Sequence, residues 1–184
     1  MALDFHRPFV DALQRKIKAL GLTQRVTALH GDMGNLQFEP QTFDVIWSEG
    51  AVYNIGFKAG LEMWKPLLKK TGYAAVTEVA WLRSEAPDNL KAFWNAEYPQ
   101  MQDIESNLED LRAAGYQPLE HFTLPESAWW DYYREIEKRV MLMKEKYKNN
   151  SCAMAVLDTE MLEMNLYRKY SDYYGYVFFI GQAL

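Results

Sequence analysis

The 184-residue sequence holds one cysteine, Cys152, which excludes an internal disulfide and a cysteine-based metal cage. Cys152 falls inside an expected helix with no histidine partner near it in sequence, so it reads as a packing residue rather than a nucleophile. Histidine is also scarce: His6, His30 and His121 are scattered without metal-ligand spacing, and no metal site is expected. There is no basic surplus, since 20 Lys and Arg face 25 Asp and Glu for a net charge of -5. Nucleic acid, which is gripped by a basic face that displaces counterions, is therefore not an expected partner. The small cluster Lys65, Lys69 and Lys70 reads as the solvated end of a helix. No stretch approaches the roughly 20 apolar residues that span a bilayer, and charges run through residues 1–20, so neither an anchor nor a signal peptide is expected. A cytoplasmic location is the expectation. Repeats and low-complexity segments are lacking too. With 49% hydrophobic and 24% charged residues, the chain has the makeup of one globular domain that can bury a core.

Local patterns alternate between two periods. The opening "ALDF" is a short apolar run ending in Asp4, followed by a helical stretch from Pro8 to Leu20 in which Phe9, Val10, Leu13, Ile17 and Leu20 recur at three and four. Pro8 suits its first turn and Gly21 its end. Val26–Leu29 and Phe43–Trp47 read as strands buried on both faces, halted by Gly31 and Gly50. Residues 57–70 carry a helical period that Pro66 should kink or reset. "TGYAAVTEVAW" supplies a further central strand after Gly72. This alternation predicts right-handed crossovers and a mostly parallel sheet. Beyond Trp81 a polar stretch with Pro87 and Pro99 precedes a helix over Ile104–Ala114. "YQPLEHFTLP" then reads as an edge strand, because Pro118 cannot donate to a ladder on one side. Two long helices follow, over 127–149 and 152–172, and Tyr176–Ile180 has the content of a buried strand. The two late strands are expected to form an antiparallel closing pair at one end of the sheet, with the helical pair inserted between them.

Three loops at strand ends carry the candidate chemistry. Asp4 sits where an open α/β sheet presents an acid to the hydroxyls of a ribose, and equally where an Asp caps a helix. "HGDMGNL" repeats the arrangement one strand later, with Asp32 on the same edge. Two acids there suggest a polar, amine-bearing ligand across the strand ends, with a nucleoside as the leading reading. "WSEGAVYNIGF" adds Ser48, Glu49, Tyr53 and Asn54 at that edge, or else is an ordinary strand-to-helix turn around a buried tyrosine. Glu49 becomes a general base only in surroundings that raise its pKa. The aromatic stretches "AWWDYY" and "YRKYSDYYGYVFF" read as core and helix contact, or as a lid over an apolar acceptor.

In this order the parts resemble a class I S-adenosylmethionine-dependent methyltransferase, most closely the small-molecule branch of the ubiquinone and menaquinone biosynthesis type. "ALDF" resembles the end of its second strand, "HGDMGNL" its adenine loop, "FDVIWSEGAVYNIGF" its fourth strand and following loop, "GYAAVTEVAW" its fifth strand and "YGYVFFIGQ" its last, antiparallel strand. The resemblance implies a Rossmann-like α/β fold, with a mostly parallel sheet, helices on both faces and an antiparallel C-terminal strand. It implies S-adenosylmethionine as cofactor and S-adenosylhomocysteine as product. Asp4, with Phe5 beside it, would take the ribose, Asp32 the adenine amino group, and the Met33 amide the ring. Ser48 and Glu49 would border the methionine moiety and the methyl group, and Glu49 and Tyr53 are the candidates for catalysis. The expected partner is a small-molecule acceptor, with a homodimer as one assembly state.

The family's first strand and glycine-rich loop have no counterpart in the sequence. In its strand order, 3-2-1-4-5-7-6, that strand lies between the one ending at Asp4 and the one ending at Ser48. The expectation is that Met1 is an internal methionine of a longer protein. The alternative is that another chain or a rearranged sheet fills the gap. Two rival functions follow: a methyltransferase-like binding or regulatory module without turnover, and a nicotinamide-dependent dehydrogenase, since an acid ending the second strand suits either cofactor.

Overall fold

The structure, a computed structural model, describes residues 1–184. Strand β1 (Ala2–Asp4) leads into helix α1 (Arg7–Ala19) and strand β2 (Ala28–His30), which pairs with β1 in parallel, Ala2 opposite Ala28 and Asp4 opposite His30. Val10 and Ile17 of α1 are buried against Ala28, with Leu13, Leu22 and Val26 at the margin. The helical period thus does what it predicts, laying one apolar stripe on a small sheet.

Strand β3 (Phe43–Ser48) and helix α2 (Phe57–Trp64) come next, and Pro66 resets the chain in a single 3-10 turn, Lys65–Leu67, before strand β4 (Leu68–Trp81). The helix expected over 57–70 therefore stops early. The missing N–H and the ring of Pro66 do not fit a helix interior, and β4 begins before Gly72 rather than after it. Lys69 and Lys70 accordingly lie on β4, where Lys69 pairs with Asp44 at 2.8 Å, so of the basic cluster only Lys65, the C-cap of α2, stands at a helix end.

The second half contains α3 (Asp88–Glu97), the two-residue strand β5 (Gln102–Asp103), α4 (Ile104–Ala113), β6 (Tyr116–Thr123), α5 (Glu126–Tyr147), α6 (Ser151–Tyr170) and β7 (Tyr174–Ala183). Helix α3 lies in the polar stretch between Pro87 and Pro99, to which the sequence pattern assigns no element, and it forms there because Leu90, Phe93 and Trp94 bury one side of it. Asp103 and Asn150 cap α4 and α6, accepting from the amides of Ser106 at 2.7 Å and Ala153 at 3.0 Å. Cys152 is exposed at the start of α6, so it is not a buried packing residue but belongs to the solvated tip of the α5–α6 hairpin.

The main sheet runs β3-β4-β7-β6, with β5 beside the end of β4. β3 and β5 pair with β4 in parallel, and β7 runs antiparallel to both β4 and β6. The antiparallel closing pair and the edge position of β6 are as expected. Helices lie on both faces. On one, Leu61, Trp64, Leu108 and Leu111 of α2 and α4 pack on Val76, Val177 and Phe179. There the buried Tyr116 hydroxyl donates to the Leu61 carbonyl at 3.0 Å. On the other, Trp94, Trp129, Tyr133 and Tyr167 pack around Val79 and Tyr174, near the carboxyl ends of the parallel strands. The rest of that face is uncovered, leaving Val45 and Trp47 exposed by 50% and 64%. β3 is thus not buried on both faces, because no helix lies over it there.

Gly60 sets how closely α2 approaches the turn Val52–Asn54. A Cβ at Gly60 would fall 2.6 Å from Val52 Cγ2, and a β-branched side chain has little rotational freedom with which to retreat. Gly60→Ala gains about 1 kcal/mol of helix propensity and loses about 1–3 kcal/mol to overpacking. A denaturant melt should register a net loss of stability; a net gain would mean that the turn moves freely.

Candidate functional site

The expected cofactor residues meet on one cleft of about 1100 Å³. Asp4 and Phe5 reach it from the end of β1, Asp32 and Met33 from the loop after β2, and Ser48 and Glu49 from the end of β3, with Ile55 and Trp64 also in its wall. Each pair follows a parallel strand, so the common direction of the strands carries all three to one edge.

Local hydrogen bonds fix these groups without exhausting them. Asp4 Oδ1 accepts from the His6 amide at 2.6 Å, while the N-cap of α1 is His6 itself, so Asp4 is a turn residue and not the helix cap. Asp32 Oδ1 accepts from the Gly34 amide at 2.8 Å. Each carboxylate keeps a second oxygen for another donor. Gly31 lets this loop lie against β1, since a Cβ would come within 2.9 Å of Leu3 Cδ1. The Met33 carbonyl accepts from the Trp64 indole at 3.0 Å, tying the loop to α2, and no backbone carbonyl accepts from the Met33 amide. Phe5 is 74% exposed, with its ring 6.0 Å from that of His30. Glu49 Oε2 accepts from the Trp47 indole at 3.2 Å, and the Gly50 amide donates to the Thr77 hydroxyl at 2.7 Å, which anchors the loop to β4.

Tyr53 does not join this set. Asn54 and Ala51 line the cleft, but Tyr53 lies outside its wall, with its ring 6.3 Å from that of Tyr98. The two candidate catalytic residues, Glu49 and Tyr53, therefore do not share the cleft. Tyr53 meets Tyr98, which follows α3 and which sequence reasoning missed, as it missed the buried Glu78 on β4. Glu78 is 2% exposed, and its Oε2 has no hydrogen-bond partner. Burial lifts its carboxyl from 4.5 to about 7, opposed by the Tyr98 hydroxyl. Burial likewise raises Tyr98 and Tyr176. The available signal was one acid, Glu78, inside the apolar run "AAVTEVAW".

Glu78 also ties stability to pH. Between about 4.5 and 7 the folded chain holds a proton that the unfolded chain has released, so stability falls as pH rises through that window and levels off above it. Glu78→Gln abolishes this contribution. The stability of the variant relative to the parent should climb by roughly 3 kcal/mol from pH 4.5 to pH 7, since one unit is worth about 1.4 kcal/mol. Urea melts across that range check this, and a difference that does not change with pH would contradict it.

Residues 1–76 match the family model described as "Methyltransferase domain". No curated protein matches the sequence. Among solved structures, a methyltransferase from Geobacter sulfurreducens, determined with S-adenosyl-L-homocysteine, is 19% identical with a TM-score of 0.78 over 99% of this chain and 74% of that one. Phosphoethanolamine N-methyltransferase 2 from Haemonchus contortus, with S-adenosyl-L-methionine, is 17% identical with a TM-score of 0.67 over 98% and 42%. The [4+2]-cyclase SpnF is 19% identical with a TM-score of 0.75 over 98% of this chain, which spans 64% of the cyclase's length. With the sheet order and the strand-end cleft, these likenesses identify the fold as that of the class I S-adenosylmethionine-dependent methyltransferases, the methyltransferase-domain sequence pattern running from Met1 to Val76.

Proposed function

We propose that the chain binds S-adenosylmethionine in the strand-end cleft and passes its methyl group to a small-molecule acceptor. The observation that carries this reading is the convergence of Asp4, Asp32, Met33 and Glu49 from three separate strand ends on one cleft. The free oxygens of Asp4 and Asp32 suit a ribose diol and an adenine amino group, and the unpaired Met33 amide suits a ring nitrogen. The nucleoside half thus fits the residues present. When bound, the cofactor supplies an electrophilic methyl group on a sulfonium. The protein's part is to hold the acceptor in line with that methyl group and to keep water out. The second acid and the free Met33 amide favour this cofactor over a nicotinamide.

The proposal includes a strand between β1 and β3. The two strands belong to different sheets and line the same cleft, each with one unpaired edge. A parallel strand there would satisfy both edges, and chain N-terminal to Met1 is the source we propose. A non-catalytic binding module is the second reading, favoured by the same open edges.

Calorimetric titration of S-adenosylhomocysteine into the folded chain tests the reading. Asp4→Ala should weaken that binding by about 10- to 100-fold, the worth of charge-assisted hydrogen bonds. Because Asp4 is exposed and caps no helix, its loss should change stability by about 0.5 kcal/mol or less. Equal affinity in parent and variant would remove Asp4 from the site. Failure of the folded parent to bind, with recovery once the upstream segment is added, would assign the missing affinity to the strand.

A further inference from the structure

β3 leaves the sheet before β4 does. Its last residue, Ser48, lies opposite Val76, and β4 runs on to Trp81. Side chains alternate along each strand, so Trp47 of β3, Thr77 of β4 and Phe178 of β7 stand on one face of the sheet. Trp47 is opposite Ala75, Thr77 is opposite Phe178, and the Trp47 ring meets the Phe178 ring edge to face at 4.9 Å.

Past Ser48 the ladder no longer holds the chain, and two other contacts take over. The first is made by the backbone. Gly50 has φ +59°, a conformation that favours glycine, and a Cβ there would touch nothing, so the bend rather than crowding calls for glycine. Its amide donates to the Thr77 hydroxyl at 2.7 Å, and no backbone carbonyl accepts from it. The second is made by a side chain, the Trp47 indole, which donates to Glu49 Oε2 at 3.2 Å. Glu49 is thus restrained at its carboxylate and at the amide that follows it. Ser48, Glu49 and Ala51 line the cleft, whereas Thr77 does not.

Thr77 is 1% exposed, and packing gives no reason for a hydroxyl there. Ala75 and Val79, two positions to either side on the same face, are buried apolar residues. A buried hydroxyl is costly without a partner, and the partner found here is the amide of the loop that carries the cleft residues.

We propose that Thr77 is a positioning residue for the cofactor cleft: its hydroxyl holds the Gly50 turn, and the turn, with the Trp47 indole, sets where the Glu49 carboxylate stands. This rests on the methyl-transfer reading above. The hydroxyl touches no ligand and acts by removing alternatives. With the Gly50 amide tied to β4, the loop keeps one conformation before the cofactor arrives, and binding does not have to order it. Without the hydroxyl the amide must turn to water for an acceptor, the loop leaves β4, and the carboxylate loses its fixed place. The loss appears as weaker cofactor binding, although no contact with the cofactor has been removed.

Three substitutions separate the hydroxyl from the methyl group of Thr77. Thr77→Val keeps the shape and removes the hydroxyl, Thr77→Ser keeps the hydroxyl and removes the methyl group, and Thr77→Ala removes both. S-adenosylhomocysteine is titrated into each full chain by calorimetry, and exchange of the Gly50 amide with deuterated solvent is followed by NMR. Thr77→Val should bind about 3- to 10-fold more weakly than the parent and lose protection of the Gly50 amide, while Thr77→Ser should stay within about twofold and keep it. Comparing Thr77→Ala with Thr77→Ser covers the case in which Thr77→Val perturbs the fold, since those two differ only by the hydroxyl. In a Glu49→Ala background Thr77→Val should cost about twofold or less, because the carboxylate that the tie places is gone. A Thr77→Val affinity equal to the parent's, equal losses in Thr77→Ser and Thr77→Ala, or an undiminished loss in the Glu49→Ala background overturns the proposal. A role in packing alone would reverse the order, leaving Thr77→Val intact and Thr77→Ser impaired. Failure of the underlying reading looks different: a folded parent that does not bind S-adenosylhomocysteine even with the upstream segment restored overturns methyl transfer itself, and this proposal with it.

Discussion

The antiparallel ladder between β4 and β7 is the interaction on which the other parts depend. It runs from Tyr73 opposite Gln182 to Trp81 opposite Tyr174 without a register shift. Because side chains alternate along a strand, this register decides which residues face α2 and α4 and which face the aromatic layer at the carboxyl end. Val76, Val177 and Phe179 go one way; Val79 and Phe178 go the other. A slip of one residue would exchange the two sets and leave Glu78 where Val79 now packs. The same ladder carries the insertion of α5 and α6, since β6 and β7 pair across it. The hairpin's Trp129 stacks on Tyr176, with ring centroids 4.8 Å apart.

Against that firm centre stands the discontinuity between β1 and β3. Strand edges present rows of unpaired amides and carbonyls, and an edge strand is normally protected by charge, twist or a cover. β1 and β3 have neither cover nor pairing on the cleft side, and Trp47 and Val45 of β3 are exposed on the sheet's open face. β1, β2 and α1 hold together through a three-residue ladder, the Gln14–Ala28 hydrogen bond and the small cluster around Val10, Ile17 and Ala28. This unit is therefore the part of the molecule with the least to fix its place, although it carries Asp4, Phe5, Asp32 and Met33. Trp64 offsets this in part, because its indole reaches from α2 to the Met33 carbonyl and ties the nucleoside loop to the main sheet.

The sequence was most legible where one period dominated and a breaker ended it. α1, β6, the α5–α6 hairpin and β7 all follow from apolar spacing together with Gly21, Pro118, the break between residues 149 and 152 and a β-branched, aromatic end. It was less legible where tertiary burial overrode composition, as at α3, whose polar residues mask the side formed by Leu90, Phe93 and Trp94. Pro66 signalled a reset but not that the chain would become strand at once. In the site, Asp4, Asp32, Ser48 and Glu49 were readable because strand-to-helix turns on parallel strands share one edge. Tyr53 was readable as a loop residue, but which side of the loop it takes depends on Tyr98, 45 positions away in the chain.

Glu78 was the least legible functional candidate and is the most informative physically. A sequence that specifies its fold keeps local choices consistent with burial, and departures cluster where function demands them. An acid in the central strand, with one oxygen unpartnered, is such a departure. Packing gives no reason for it: Val76 and Ala80, two positions to either side on the same face, are both fully buried apolar residues, and an apolar residue at 78 would continue the stripe. Hydrogen bonding gives none either, because Tyr98 answers only part of what the carboxyl can accept. The cost of the buried, unpartnered oxygen is therefore one that neither packing nor hydrogen bonding within the fold offsets.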